Sequence, residues 1–314
     1  MTSPLPGDVY RRFLGDPDYE IRVMEPGESG NLERSLTEFN PQGMVTLLSD
    51  RMDSARIQLA PAIQVISNYA VGYNNIDVEY AKDHGIVVTN TPGVLTDATA
   101  DVALMLILMA SRRAVECERL TRTGQFTGWT PGDQLGLSIQ HKTLGIIGLG
   151  RIGQAVAQRA QAFGMKIVYH QRRRLEPDRE KQWNAVYVSL DELLRISDVV
   201  SLHLPYTPAV HHLIDNRAFD KMKSTAILIN TARGPLVDEN ALAEALIHHR
   251  IWAAGLDVYE HEPAVHSDLR RLDQVVLLPH IGSATQETRA GMTRMVIDDL
   301  TAVLNGRRPH YQVV

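Results

Sequence analysis

Cysteine is almost missing from this chain. Cys117 is the only one in 314 residues, so an intrachain disulfide is excluded and a reducing, cytoplasmic setting is expected. Long apolar runs are missing as well. The longest, residues 102–110, is about half of the ~20 residues that a membrane helix needs, so no membrane partner is expected. No secretory apolar segment opens the chain. A surplus of positive charge is absent: the net charge of −5 argues against nucleic acid as a partner. Low-complexity tracts and internal repeats are also lacking, which removes disordered and solenoid architectures.

What remains is an ordinary globular composition, long enough for about two domains. The most informative stretch is TLGIIGLGRIG, residues 143–153. A short apolar run, 144–147, reads as a buried parallel strand. It enters Gly148-x-Gly150-x-x-Gly153, and the helical pattern QAVAQRAQAFG follows. Strand, glycine turn and helix form the context that a dinucleotide fingerprint requires. Gly148 serves the tight turn, Gly150 the approach of backbone to a pyrophosphate, and Gly153 the close packing of helix on strand. Free N–H groups at the helix start, from Arg151 and Ile152 onward, suit phosphate.

Around this stretch, strand-like and helix-like segments alternate, the mark of parallel α/β architecture. In the first part, 19–24, 44–48, 64–67 and 86–89 are predicted strands, and 32–39, 53–59 and 76–84 predicted helices. Asn90-Thr91-Pro92-Gly93 breaks the pattern and suggests a domain crossing. A long helix is predicted over 97–123, with Thr96 or Asp97 as its N-cap. Its apolar first half fits either a buried subunit interface, hence a homodimer, or an ordinary core helix. Strands are then predicted at 144–147, 166–169, 199–204, 226–230, 254–257 and 275–278, and a last helix at 286–305. The expected fold is α/β with two doubly wound parallel-sheet domains. A Rossmann cofactor domain, 93–285, carries the long helix and is inserted into a flavodoxin-like substrate domain, 1–92 plus 286–314.

In such folds ligands sit beyond the carboxyl ends of the strands. Three residues there stand out, each in a stiff turn: Arg233 in NTARGP, Glu262 in YEHEP and His280 in LPHIGS. Together they suit chemistry on a carbonyl beside a carboxylate. Arg233 can bind the carboxylate by paired hydrogen bonds and polarise the carbonyl. His280 can give its oxygen a proton as hydride reaches carbon, and Glu262 can hold His280 in one tautomer. The adjacent pairs His211-His212 and His248-His249 are not expected to share an ion, since neighbours on a helix or strand point apart. No metal site is predicted.

GLGRIG at 148–153, NTARGPLVDENAL at 230–242, AAGLDVYEHEP at 253–263 and PHIGSAT at 279–285 together resemble the D-isomer-specific 2-hydroxyacid dehydrogenase family. NYAVGYNNID at 68–77 and NTPGVLTDATAD at 90–101 extend the likeness into the first domain. Within the family the chain is most similar to the glyoxylate/hydroxypyruvate reductases, which include reductases of 2-ketogluconate. The resemblance implies Arg233, Glu262 and His280 as catalytic residues. It implies that the backbone N–H groups of Val71 and Gly72 hold the substrate carboxylate, with Ser283 near the substrate. It matches Trp129, in GWTP, to a tryptophan that a partner subunit lends to the pocket. It places Gly148, Gly150, Arg151, Ile152, Gly153, Leu204, Pro205, Ala232, Asp257, His280 and Gly282 around the nicotinamide cofactor.

The choice of cofactor is legible in an absence. An NAD enzyme usually carries an acid at the end of the second strand; here the chain reads His170-Gln171-Arg172-Arg173-Arg174, with no acid until Glu176. NADPH is therefore expected, with Arg172 its principal phosphate ligand and Arg173 in support, while NADH remains possible and a merely solvated basic turn is the alternative. Glu262 stands where formate dehydrogenases carry Gln, and Val71 where phosphite dehydrogenases carry Lys. The competing reading of another class is a dinucleotide-responsive scaffold like the C-terminal-binding-protein corepressors. One departure concerns the start: Met1 to Pro6 begins almost at the first Leu-Pro turn, leaving no room for the family's first strand. Either that strand is absent or the numbered start lies downstream of the true one.

Overall fold

The computed structural model describes residues 1–7, 9–24 and 31–314. The short runs rich in valine and isoleucine form parallel strands in two sheets: β1 (Gly43–Thr46), β2 (Val65–Asn68) and β3 (Val87–Thr89) in one, and β4 (Thr143–Ile147), β5 (Lys166–His170), β6 (Ala185–Tyr187), β7 (Val199–Leu202), β8 (Ile227–Asn230), β9 (Ala253–Leu256) and β10 (Val275–Leu277) in the other. β2, β7, β8 and β9 are buried along their whole length, as strands covered on both faces must be. The chain divides into two compact units, Met1–Leu95 with Ser283–Val314, and Thr96–Gly282.

The first unit carries the sheet β1-β2-β3, in parallel register with Val45 opposite Ser67 and Ser67 opposite Thr89. The helix Gln286–Leu304 packs on this sheet, and its Val296 carbonyl accepts a hydrogen bond from the Ser67 hydroxyl at 3.1 Å. The strand expected at 19–24 does not form. The space beside the edge strand β1 is entered instead by the first two residues. Thr2 N–H donates to the Val45 carbonyl at 3.3 Å, and Met24 N–H donates to the Met1 carbonyl at 2.9 Å. Met24 thus bonds Met1 rather than β1, and residues 19–24 join no ladder. Next to them lies a cavity of about 450 Å³, bordered by Met1, Ile21, Met24, Met44, Ile297 and Leu300 among others. Burial there pushes the Met1 amine down to about 6, against the opposing charge of Asp50.

The second unit carries seven strands in the order β6-β5-β4-β7-β8-β9-β10, all parallel. The order reverses between β4 and β7, which is the switch point of a doubly wound sheet. β6 was not expected from the sequence. It is three residues long and sits at the sheet's edge with Val186 exposed, so it carries no buried apolar run to reveal it. The long helix expected over 97–123 is two helices, Thr96–Ser111 and Ala114–Arg122. The break coincides with a contact from a distant segment, in which the Ser111 carbonyl accepts from Leu137 N–H at 2.8 Å, and with a left-handed turn at Arg113, φ 53°. The first helix already includes Thr96, so neither Thr96 nor Asp97 is its N-cap and both lie in its first turn. This helix buries Ala103, Leu106 and Ile107 against the sheet, whereas the second buries none of its residues. Among the described residues, no helix is long and apolar enough to cross a membrane.

Candidate active site

The turn after β4 is shaped by backbone proximity. Gly148 has φ 96°, and a Cβ there would lie 2.6 Å from the His203 carbonyl oxygen at the end of β7. At Gly153 a Cβ would lie 2.3 Å from the Gly148 carbonyl oxygen, so the helix Arg151–Gln161 can rest on the turn only without a side chain. Gly150 faces nothing within 4 Å. It caps the helix without any side-chain hydrogen bond, leaving the first N–H groups to an incoming anion. Ile152 is partly buried against the core while Arg151 is exposed. Leu204 and Pro205 follow His203 just beyond β7, at the same sheet end. These features fit a dinucleotide: an uncapped helix start, open space at Gly150 and a strand-order reversal beside them.

The three arginines after β5 part company. Arg174 is engaged by Glu180 through two hydrogen bonds of 2.8 Å, and Tyr169 also donates to that carboxylate. These bonds hold the Glu180 carboxyl down at about 2. Arg172 and Arg173 are exposed, and neither has an ion pair or side-chain hydrogen bond among the described residues.

The loops after β8, β9 and β10 carry Arg233, Glu262 and His280. Glu262 accepts from His280 Nδ1 at 2.8 Å with one oxygen and from Tyr259 N–H at 3.0 Å with the other. Burial works to raise the Glu262 carboxyl. The His280 hydrogen bond and charge, the Tyr259 N–H and the Arg233 charge outweigh it and hold the group below its usual range. Because Nδ1 of His280 is spent on Glu262, Nε2 is the nitrogen left for another partner. His280 sits at φ 55°, a left-handed backbone that a non-glycine residue adopts only when its surroundings enforce it. Asp257 supplies the enforcement: its two oxygens accept from Ile281 N–H and Gly282 N–H, both at 2.7 Å. Burial raises the Asp257 carboxyl, against those two donors. Asp257 therefore grips the backbone behind His280.

Arg233 is held by Asn230. The Asn230 side chain donates to the Arg233 carbonyl at 2.8 Å and accepts from Ala232 N–H at 3.0 Å. Burial lowers the Arg233 guanidinium from its ordinary value, and Glu262 offsets this in part. At Gly234 a Cβ would fall 1.9 Å from the Tyr259 backbone, so the Arg233 turn lies directly on the Tyr259–Glu262 loop. Tyr259 completes the framework by donating from its hydroxyl to the Leu278 carbonyl at 2.8 Å, two residues before His280.

In the first unit, the carbonyls of Val71 and Gly72 each accept from a side-chain amide, Asn90 and Asn68 respectively, at 2.7 Å. Their N–H groups have no acceptor among the described residues. Ser283 opens the segment leading into the helix Gln286–Leu304 and is partly buried. Trp129 is 79 % exposed in the single chain.

The residue range 104–282 matches the model of the "D-isomer specific 2-hydroxyacid dehydrogenase, NAD binding domain", more than half of the chain. This chain belongs to the D-isomer specific 2-hydroxyacid dehydrogenases. It is an NAD(P)-dependent dehydrogenase, and its cofactor is a nicotinamide dinucleotide. A glyoxylate reductase of Thermococcus litoralis is 50 % identical over 270 residues, 85 % of this chain and 81 % of that one. A glyoxylate reductase of Paecilomyes thermophila has a structure similar to this one, with TM-score 0.85, 35 % identity and coverage of 100 % and 99 %. So has an NADPH-dependent glyoxylate/hydroxypyruvate reductase of Sinorhizobium meliloti, solved with NADP and malonate, at TM-score 0.85, 32 % identity and coverage of 98 % and 95 %.

Sequence reasoning missed the residues that hold the Arg233, Glu262 and Val71-Gly72 turns in place. Asn230 and Tyr259 stand inside the motifs quoted for Arg233 and Glu262, so their positions were in view. Asn68 and Asn90 open the two quoted stretches of the first unit. The signal available for all four was an asparagine or tyrosine at a strand end, where a side chain can bond its own loop.

Proposed function

We propose that this dehydrogenase reduces a small 2-oxoacid, glyoxylate or hydroxypyruvate, to the D-2-hydroxyacid with NADPH. The observation that carries the reading is the His280–Glu262 pair at 2.8 Å, fixed by Asp257 and braced against the Arg233 turn. Arg233 binds the substrate carboxylate and polarises the adjoining carbonyl. His280 holds a proton at Nε2 for the carbonyl oxygen, and Glu262 keeps that imidazole in the required tautomer. The reduced nicotinamide, when bound, supplies the hydride. The unspent N–H groups of Val71 and Gly72 are carboxylate anchors in their own right, and Ser283 contributes to substrate binding. Gly148, Gly150, Gly153 and the N–H groups of Arg151 and Ile152 cradle the pyrophosphate. Leu204, Pro205, Ala232 and Gly282 line the rest of the cofactor's path along the strand ends. Asp257 serves by holding the loop of His280.

NADPH is preferred because Arg172 and Arg173 stand free for a 2′-phosphate, and the five residues directly after β5, Gln171 to Leu175, carry no carboxylate to oppose it. The protein acts as a homodimer: Val115, Phe126, Trp129 and Leu135 leave a surplus of exposed apolar surface on one stretch of chain, and Trp129 narrows the partner's pocket. Initial-rate kcat/KM for glyoxylate, hydroxypyruvate, 2-ketogluconate and pyruvate, each with NADPH and NADH, tests the reading. NADPH-dependent turnover of glyoxylate or hydroxypyruvate supports it. Preference for NADH discards the role of Arg172 alone. Cofactor binding without turnover of any acid would favour a scaffold of the corepressor type.

A further inference from the structure

We infer that His211, His212 and Glu260 form a binding site for one divalent transition-metal ion of the zinc class. Adjacent histidines on regular secondary structure point apart, which is why the sequence offered this pair no shared ion. Here His212 takes a left-handed backbone, φ 51°. That twist brings the two imidazoles onto one side of the chain, with centroids 3.9 Å apart and planes 22° from parallel, so binding one ion requires the exposed His211 ring to turn out of this stack. One ligand atom from each ring and one Glu260 oxygen all lie within 4.8 Å of one another, so with His211 turned the three can close on an ion at the ordinary metal–nitrogen and metal–oxygen distances of ~2.0–2.2 Å.

The surroundings have the character of a ligand set. The Glu260 side chain is only 13 % exposed, and its carboxylate meets His212 Nε2 at 2.6 Å. Each ring has a neighbour on its other nitrogen: Asp238 at 3.9 Å from His212 Nδ1, and the Tyr206 hydroxyl at 3.5 Å from His211 Nδ1. Two imidazoles and a carboxylate with further positions open suit zinc, nickel or copper rather than magnesium or calcium.

The site also lies against machinery already described. His212 N–H donates to the Pro235 carbonyl at 2.9 Å, just beyond the Arg233 turn, and Glu260 N–H donates to the buried Glu239 carboxylate at 2.8 Å. An ion held here clamps the segment after Arg233 to the segment before Glu262. This inference does not depend on which 2-oxoacid is reduced.

The test titrates zinc chloride into the chelator-stripped full chain by calorimetry. The expected result is one ion per chain, with affinity lowered tenfold or more both in His211→Ala and in Glu260→Gln. His211 is exposed, so that variant should keep the wild-type melting temperature without metal, and zinc should raise the melting temperature of the wild type but not of the variant. No uptake by the wild type overturns the inference. So does uptake that both variants retain, which would place the ion on the protein's other histidines.

Discussion

The two parts of the site in residues 96–282 are built by different means. The turn after β4 is shaped by what its glycines lack: a Cβ at Gly148 or Gly153 would strike backbone at 2.6 and 2.3 Å. The loops after β8, β9 and β10 are shaped by side chains that spend themselves on backbone: Asn230 on the Arg233 turn, Asp257 on the residues behind His280, and Tyr259 on the Leu278 carbonyl. The difference teaches where substitution should hurt. In the first part, adding atoms does the damage. In the second, removing polar atoms does, and the losses spread from His280 itself to the residues that merely hold it.

The largest effect is expected at His280. His280→Ala should lower kcat by on the order of 100-fold or more, the range for loss of a positioned general acid. Cofactor affinity, measured by fluorescence titration, should change far less. Turnover near the wild-type rate would remove His280 as the proton donor and leave the second part of the site without its reactive group.

Next comes the basic turn after β5, where three neighbouring arginines differ in what they touch. Arg172→Ala should weaken NADPH by roughly 1.5–3 kcal/mol, the worth of a hydrogen bond to a charged group, and spare NADH. Arg174→Ala should not discriminate between the cofactors, because Glu180 already occupies that guanidinium. Equal losses of both cofactors in Arg172→Ala would mean that no 2′-phosphate is read there.

The same contrast explains what the sequence could and could not disclose. Gly148, Gly150 and Gly153 were readable because glycine at a fixed spacing between strand and helix has few other uses. The parallel strands from β7 to β10 were readable because strands buried on both faces are unbroken apolar runs. β6 was not, since an edge strand of three residues with Val186 exposed leaves no such mark. The break at Arg112-Arg113 was hidden for another reason: it depends on Leu137, which bonds the Ser111 carbonyl from a distant segment. The expected strand at 19–24 did not form: Thr2 N–H takes the Val45 carbonyl beside β1, and Met24 N–H bonds Met1 instead of the sheet. The pair His211-His212 was read on a regular backbone, and φ at His212 is left-handed, which adjacency in sequence does not disclose.

A smaller loss should follow removal of a holding residue. Asn230→Ala deletes both the donor to the Arg233 carbonyl and the acceptor of Ala232 N–H. Each such bond contributes about 0.5–1.5 kcal/mol, so kcat/KM should fall by roughly tenfold. The loss should appear in KM and kcat together, as expected when an interaction with the carboxylate and the carbonyl is loosened at once. An unchanged KM would mean that the Arg233 turn keeps its shape without Asn230.

The smallest effect concerns the glycine turn, and it is read in stability. His203 places its carbonyl against Gly148, its N–H donates to the Ile147 carbonyl at 2.8 Å, and its Nε2 lies 2.8 Å from the Ser201 hydroxyl. Burial pushes this imidazole down to about 3 from an ordinary 6.5. An unfolded chain therefore binds a proton below pH 6.5 that the folded chain refuses until about pH 3. Stability from this group is complete above pH 6.5 and declines as the solution is acidified, by at most about 1.4 kcal/mol per pH unit. Urea titrations of wild type and His203→Gln at pH 7, 6 and 5 isolate the contribution. The wild type should lose more stability than the variant between pH 6 and pH 5. Parallel losses would mean that His203 stays open to protons in the folded protein, and that the turn tolerates a charge beside the very strand ends where an anionic cofactor would welcome one.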